Sequence, residues 1–134
     1  MVYMILSNSF DFEASHSLPS YEGNEANLHG HSFKLRVYIK GMPDPDTGMV
    51  MDSKELNYMV RKYAIDKLAH KHLNEILDIP TPENIIVFIW NELILQMPNL
   101  DKLELWETNN KIEYKGIRKE ELIDSETTST GSGE

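Results

Sequence analysis

No cysteine occurs in the 134 residues. Disulfides, thiolate nucleophiles and sulfur metal ligands are therefore excluded, which suits a reducing compartment. Long apolar runs are missing as well; none approaches the length needed to cross a bilayer. The N-terminus has neither the basic start nor the apolar run and cleavage site of a signal peptide, so a cytoplasmic protein with no membrane partner is expected. Basic charge is scarce. Against 22 Asp and Glu stand 13 Lys and Arg, a net charge of −9 that argues against nucleic acid as a partner. There is no internal repeat. The stretch Ser125 to Glu134 holds no apolar residue. Residues 119–134 are expected to be a disordered tail behind one domain with a single core, residues 1–118.

What the chain does have is a pair of histidines, His29 and His31, separated by Gly30. In a β-strand, positions i and i+2 share a face, so both imidazoles can be offered to one metal ion. Phe33, Leu35, Val37 and Ile39 continue that face as an apolar row, while Ser32, Lys34, Arg36, Tyr38 and Lys40 make the other face polar. The strand from Met4 to His16 repeats the pattern: Phe10, Phe12 and Ala14 form an apolar face that ends in His16, with Asp11, Glu13 and Ser15 alternating. One strand runs toward its histidine and the other away from its pair. If they are antiparallel neighbours, all three histidines meet at one end of a sheet, under a loop from Ser17 to Leu28 that holds Pro19, Gly23 and Asn24.

The second strand ends near Gly41, and Met42 to Gly48 is rich in turn residues. Met49 to Met51 could form a short extension. A helix then opens on Asp52 as N-cap with Glu55 three residues on, the capping-box pattern, and carries Leu56, Met59, Val60, Tyr63 and Leu68 on its apolar stripe. It ends between Ala69 and Leu73, a stretch that holds His70 and His72. Thr81 is the expected N-cap of a second helix, with Pro82 at its first position; Ile86, Ile89, Trp90, Leu93 and Met97 form the buried face, and Pro98-Asn99 stops it. A third strand carries Leu103, Leu105 and Glu107 on one face. Asn109-Asn110 marks a turn into a last strand, Lys111 to Lys115. The expected fold is α+β: strand, strand, helix, helix, strand, strand, with a four-stranded antiparallel sheet and both helices on one face.

Three histidines with an open fourth position describe a catalytic zinc site, although other divalent ions that favour imidazole fit the same ligands. The competing reading is a cluster of core histidines bonded to backbone carbonyls. Glu25, four residues before His29 in the loop, could ligate the metal, serve as a general base or be solvated. His70 and His72 also suit the C-terminal end of a helix, where positive charge is favoured. Glu107 continues an apolar face and must find a donor, either in an internal ion pair or in a ligand with a flat guanidine-like edge.

Six segments together resemble the 6-pyruvoyl-tetrahydropterin synthase and 6-carboxy-tetrahydropterin synthase family. They are Phe12-Glu13-Ala14-Ser15-His16, Leu28-His29-Gly30-His31-Ser32-Phe33, Thr47 to Asp52, Leu68-Ala69-His70-Lys71-His72-Leu73-Asn74, Pro80 to Asn84 and Trp106-Glu107-Thr108. They fall in the family's order and span about residues 8–116. The resemblance implies the tunnelling fold (T-fold), in which three subunits close their sheets into an oligomeric barrel and two trimers stack into a homohexamer with active sites between subunits. It also implies a small-molecule pterin substrate. By position, His16, His29 and His31 match the family's zinc ligands and Glu107 its pterin anchor. Thr81 lies where the family also contacts the pterin, and His70 matches the histidine of its catalytic Asp-His pair.

Two positions depart from the family's pattern. Its catalytic cysteine is Glu25 here, and the aspartate of its Asp-His pair is Ala69. A thiol needs a base to ionise at neutral pH, whereas a glutamate is already ionised, so the loss of His70's partner matters less. Asp66, four residues before His70, could partly replace that partner if both are helical. Glutamate at the cysteine position resembles the branch that forms 6-hydroxymethyl-7,8-dihydropterin for folate-type cofactors. The expected activity is thus a zinc-dependent retro-aldol lyase acting on 7,8-dihydroneopterin, with Glu25 as general acid/base and His70 assisting. The alternatives are 6-pyruvoyl- or 6-carboxy-tetrahydropterin synthase activity (the latter serving modified tRNA nucleosides), a non-catalytic pterin- or metal-binding protein, and a purely structural hexamer.

Overall fold

Alternating apolar residues make strands here, and their register places the rest. The computed structural model describes residues 2–18 and 29–123, with the side chain of His29 outside the description. Strand β1 (Met4–His16) pairs antiparallel with β2 (His29–Gly41) without interruption, from Met4 opposite Gly41 to His16 opposite His29. Strands β3 (Leu100–Glu107) and β4 (Asn110–Tyr114) complete a four-stranded antiparallel sheet in the order β1-β2-β3-β4. Both terminal strands of the sheet are therefore edges.

One face of the sheet carries Phe10, Phe12, Ala14, Phe33, Leu35, Val37, Ile39, Leu103 and Leu105, all buried. Against it lie two helical segments. The first runs as α1 (Ser53–Val60) through a π-turn (Arg61–Ile65) into α2 (Asp66–Leu68). Asp52 caps it by accepting from the Lys54 N–H at 2.9 Å. The expected stripe is only partly right: Leu56, Val60 and Leu68 are buried, but the wider π-turn brings Ala64 and Ile65 inward and leaves Met59 and Tyr63 half-buried. The second helix, α3 (Pro82–Ile94), opens on Thr81, whose hydroxyl accepts from the Asn84 N–H at 3.2 Å. Ile86, Ile89, Trp90, Leu93 and Met97 are all buried as the periodicity requires.

Three local expectations need correction. Met49 to Met51 form no strand. The β3–β4 turn is Thr108-Asn109 rather than Asn109-Asn110, because Glu107 pairs with Asn110 and closes a two-residue loop. The chain leaves the helix at Ala69 (ψ 131°) and turns left-handed at His70 (φ 60°), so the helical spacing that would relate Asp66 to His70 is broken. Past the boundary expected at residue 118, residues 119–123 form a helical turn with Leu122 against the core.

After His70 the chain adds itself to the free edge of β1. The His70 N–H donates to Glu13 O at 2.6 Å and the Ser15 N–H to Lys71 O at 3.0 Å. Asn74 then grips Ser17 from both sides, its Oδ1 accepting from the backbone N–H at 2.9 Å and its Nδ2 donating to the carbonyl at 3.0 Å.

The opposite, polar face of the sheet contains a buried carboxylate. Glu104 is 5% exposed, accepts from the Tyr38 hydroxyl, and is paired with Lys111 Nζ at 2.8 Å. Burial alone would raise its pKa, but the Lys111 ammonium and the Tyr38 hydroxyl outweigh that and hold the carboxyl at about 2, against an ordinary 4.5. Tyr38 is pushed up in turn, chiefly by its hydrogen bond to Glu104 and then by burial. Because the folded pKa is depressed, the carboxylate's contribution is complete above about pH 4.5 and is lost as the pH falls toward about 2. Glu104→Gln should lower stability by about 1–3 kcal/mol at neutral pH. Denaturant melts of both proteins down the acid limb should converge across that window.

Candidate metal centre

His16 is the last residue of β1 and is completely buried. Its Nδ1 lies 2.7 Å from the Pro80 carbonyl oxygen, just before the α3 cap. A carbonyl only accepts, so Nδ1 carries the proton and Nε2 keeps the lone pair a metal needs. Across the sheet, Ala14 pairs with His31 and Phe12 with Phe33. This brings the His31 ring edge-on to His16, with centroids 4.9 Å apart and planes at 89°, over the Phe33 ring. Phe33 is also opposite Glu107 on β3, so the carboxylate arrives at the same end of the sheet. Glu107 Oε1 is 3.4 Å from His31 Nε2.

The potential ligand atoms of His16, His31 and Glu107 lie within 4.8 Å of one another. Glu107 Oε2 is buried with no hydrogen-bond partner among the described residues. A buried carboxylate oxygen without a donor is costly, and a divalent cation or an N–H-bearing ligand would relieve it. Two imidazoles and a carboxylate around one point can hold a divalent metal that accepts nitrogen and oxygen.

The other candidates are placed as follows. His29 is opposite His16 in the ladder, and its side chain is outside the description. Glu25 lies in residues 19–28, also outside the described residues, as does most of the loop expected over the site. His70 is exposed and opens, with Glu13, Ser15, Ser32 and His72, onto a cleft of about 620 Å³ that reaches His31. His72 Nδ1 is 3.5 Å from Ser15 Oγ, so it sits beside β1, and it precedes a short 3-10 turn (Leu73–Glu75) rather than ending a helix. Thr81 follows the residue that orients His16. Two contributors were missed in the sequence. Neither the Pro80 carbonyl nor Asn74, which ties down the residue after His16, has a local signature, because each acts on a partner more than fifty positions away.

The sequence pattern described as 6-pyruvoyl tetrahydropterin synthase matches residues 5–116. The chain belongs to this family. A "Dihydroneopterin monophosphate aldolase" from Pyrococcus furiosus is 38% identical over 101 residues, covering 73% of this chain and 84% of the relative. A "Putative 6-carboxy-5,6,7,8-tetrahydropterin synthase" from Archaeoglobus fulgidus is 37% identical over 108 residues, covering 81% and 91%. Among solved structures, the 6-pyruvoyl tetrahydropterin synthase of Caenorhabditis elegans superimposes with a TM-score of 0.76 at 26% identity, covering 87% of this chain and 98% of that one. The fold is therefore the tunnelling fold of the 6-pyruvoyl tetrahydropterin synthase family, a family of pterin enzymes. Among the described residues, no helix is long and apolar enough to cross a membrane.

Replacing a candidate ligand should empty the candidate centre without unfolding the sheet. His16→Ala and His31→Ala are each expected to lose stoichiometric metal in competition with a chromophoric chelator, while far-ultraviolet circular dichroism stays that of the parent.

Proposed function

We propose that this chain is a zinc-dependent lyase that cleaves the side chain of a 7,8-dihydroneopterin-type substrate by a retro-aldol reaction, giving 6-hydroxymethyl-7,8-dihydropterin. The observation that carries the proposal is the convergence of His16, His31 and Glu107 within 4.8 Å in a chain without cysteine. His16, His29 and His31 hold the zinc, and Glu107 and Thr81 bind the pterin. Bound there, zinc supplies a Lewis acid that makes the side-chain hydroxyls easier to deprotonate. Glu25 is the general base. It takes the proton of the C2′ hydroxyl, the C1′–C2′ bond breaks, and the electron pair passes into the pterin C=N. The two-carbon fragment leaves as glycolaldehyde or its phosphate, and a proton is returned to C1′. His70, on the cleft that reaches His31, assists the transfer.

Two considerations favour this reaction within the family. The chemistry assigned to the family's cysteine cannot be performed by a chain that has none. The relative from Pyrococcus furiosus carries the name of an aldolase on a dihydroneopterin phosphate. A second reading, 6-carboxy-tetrahydropterin synthase activity, draws on the Archaeoglobus fulgidus relative's name. The assembly we propose is a homohexamer of two trimers. In its favour are the β4 edge, the part of the β1 edge that the His70–His72 segment leaves uncovered, and the exposed apolar run Val2, Tyr3, Met4 and Ile5 at the start of β1.

The deciding experiment incubates zinc-loaded protein with 7,8-dihydroneopterin, its monophosphate and its triphosphate, and identifies the products. Glycolaldehyde or its phosphate is expected; acetaldehyde with inorganic triphosphate would establish the second reading instead. Glu25→Ala should abolish turnover with zinc content unchanged, and unchanged turnover would remove Glu25 from the mechanism. Glu107→Gln should keep zinc and lose pterin affinity, measured by fluorescence titration.

A further inference from the structure

Among the described residues, two that are not glycine have left-handed backbone: His70 (φ 60°) and Thr108 (φ 56°). Both adjoin or form the candidate site. Thr108 is the more unusual, because a β-branched side chain is poorly accommodated in this region and a two-residue hairpin loop ordinarily places glycine, asparagine or aspartate there. Thr108 is exposed, and among the described residues no hydrogen bond of its hydroxyl compensates for the strain. Outliers of this kind persist where the surroundings over-determine them, and they mark functional positions. Thr108 directly follows Glu107, whose backbone is held by Phe33 on one side and Asn110 on the other. The Thr108 N–H reaches Ser32 O at 3.5 Å, the loose end of the same ladder.

We propose that Thr108 is a positioning residue that fixes the angle at which Glu107 presents its carboxylate to the pterin. This rests on reading Glu107 as the substrate anchor. Branching at Cβ restricts both χ1 and the backbone, so once the Glu107–Asn110 pair closes the loop, one conformation is left. Glycine at 108 would be unstrained but free to sample both signs of φ, and the last residue of β3 would tilt with it. A carboxylate gripping two N–H groups depends on that angle. The grip is the same in ground and transition states, so its loss appears in KM rather than in kcat.

The test uses the zinc-loaded protein and the variants Thr108→Gly, Thr108→Val and Glu107→Ala. It reads thermal stability, steady-state kinetics and the Kd of neopterin, the oxidised substrate analogue, by fluorescence titration. For Thr108→Gly, KM and the neopterin Kd should rise about tenfold with kcat nearly unchanged, while the melting temperature stays level or increases. The isosteric Thr108→Val, which keeps the branch and drops the hydroxyl, should bind neopterin like the parent. Parent-like binding by Thr108→Gly overturns the proposal. So does an equal loss in Thr108→Val, which would make the hydroxyl itself a ligand contact, or a fall in affinity that only follows a fall in melting temperature. If Glu107→Ala binds neopterin normally, the anchor reading fails with it. If Glu107→Ala loses binding and Thr108→Gly does not, only the positioning role fails.

Discussion

The uninterrupted ladder between β1 and β2 is the constraint on which the rest of the molecule depends. Thirteen consecutive residues of β1 pair with β2 without a bulge. A slip of one residue would send Phe10, Phe12, Ala14 and His16 to the polar face together, and with them the core. The same register therefore fixes the hydrophobic layer and the candidate metal centre. Phe12 stacks on Phe33 with ring centroids 5.1 Å apart, and both histidine rings rest edge-on against Phe33. The apolar core is the floor on which the ligands stand, so a substitution that disturbs Phe33 reaches the chemistry without touching a ligand.

Much of this was legible in the chain itself. Alternation over Phe10 to His16 and over His29 to Ile39 predicted both the strands and the approach of His16 to His31, because period two and antiparallel pairing leave little choice. Thr81 could be recognised as a cap because it precedes proline and an apolar stripe. What escaped was decided by distant parts of the chain. Nothing near Pro80 says that its carbonyl will meet an imidazole on β1. Glu104 reads as a solvated position on an alternating strand, yet Tyr38 and Lys111 enclose it on the polar face. The π-turn at Arg61–Ile65 shifts the helix stripe by packing that no periodicity records. The turn moved to Thr108 because pairing, rather than turn propensity, set the loop length.

The candidate site separates what the scaffold holds from what the connections carry. The residues that set ligand geometry lie on the sheet and at a helix cap, where pairing holds them. Of the positions that depart from the family's pattern, Ala69 lies outside the paired strands, and Glu25 lies outside the described residues. Proton-transfer groups placed in connections can change without disturbing register, whereas ligands placed in strands cannot. The sequence alone puts Glu25 in a loop, and on that expectation the proposed change from thiol to carboxylate is of this kind.

The bond between His16 and Pro80 spans 64 positions of sequence. Beside it, Ser15 is tied to Lys71 and Ser17 to Asn74. No fragment comprising only the first hairpin would contain an oriented His16 ring, because its orienting carbonyl arrives just before the last helix of the main core. The centre is thus a property of the whole folded chain. An ion bound there is linked by mass action to global unfolding rather than to local fraying, so occupancy of a few side chains at one end of the sheet is felt as stability throughout the domain.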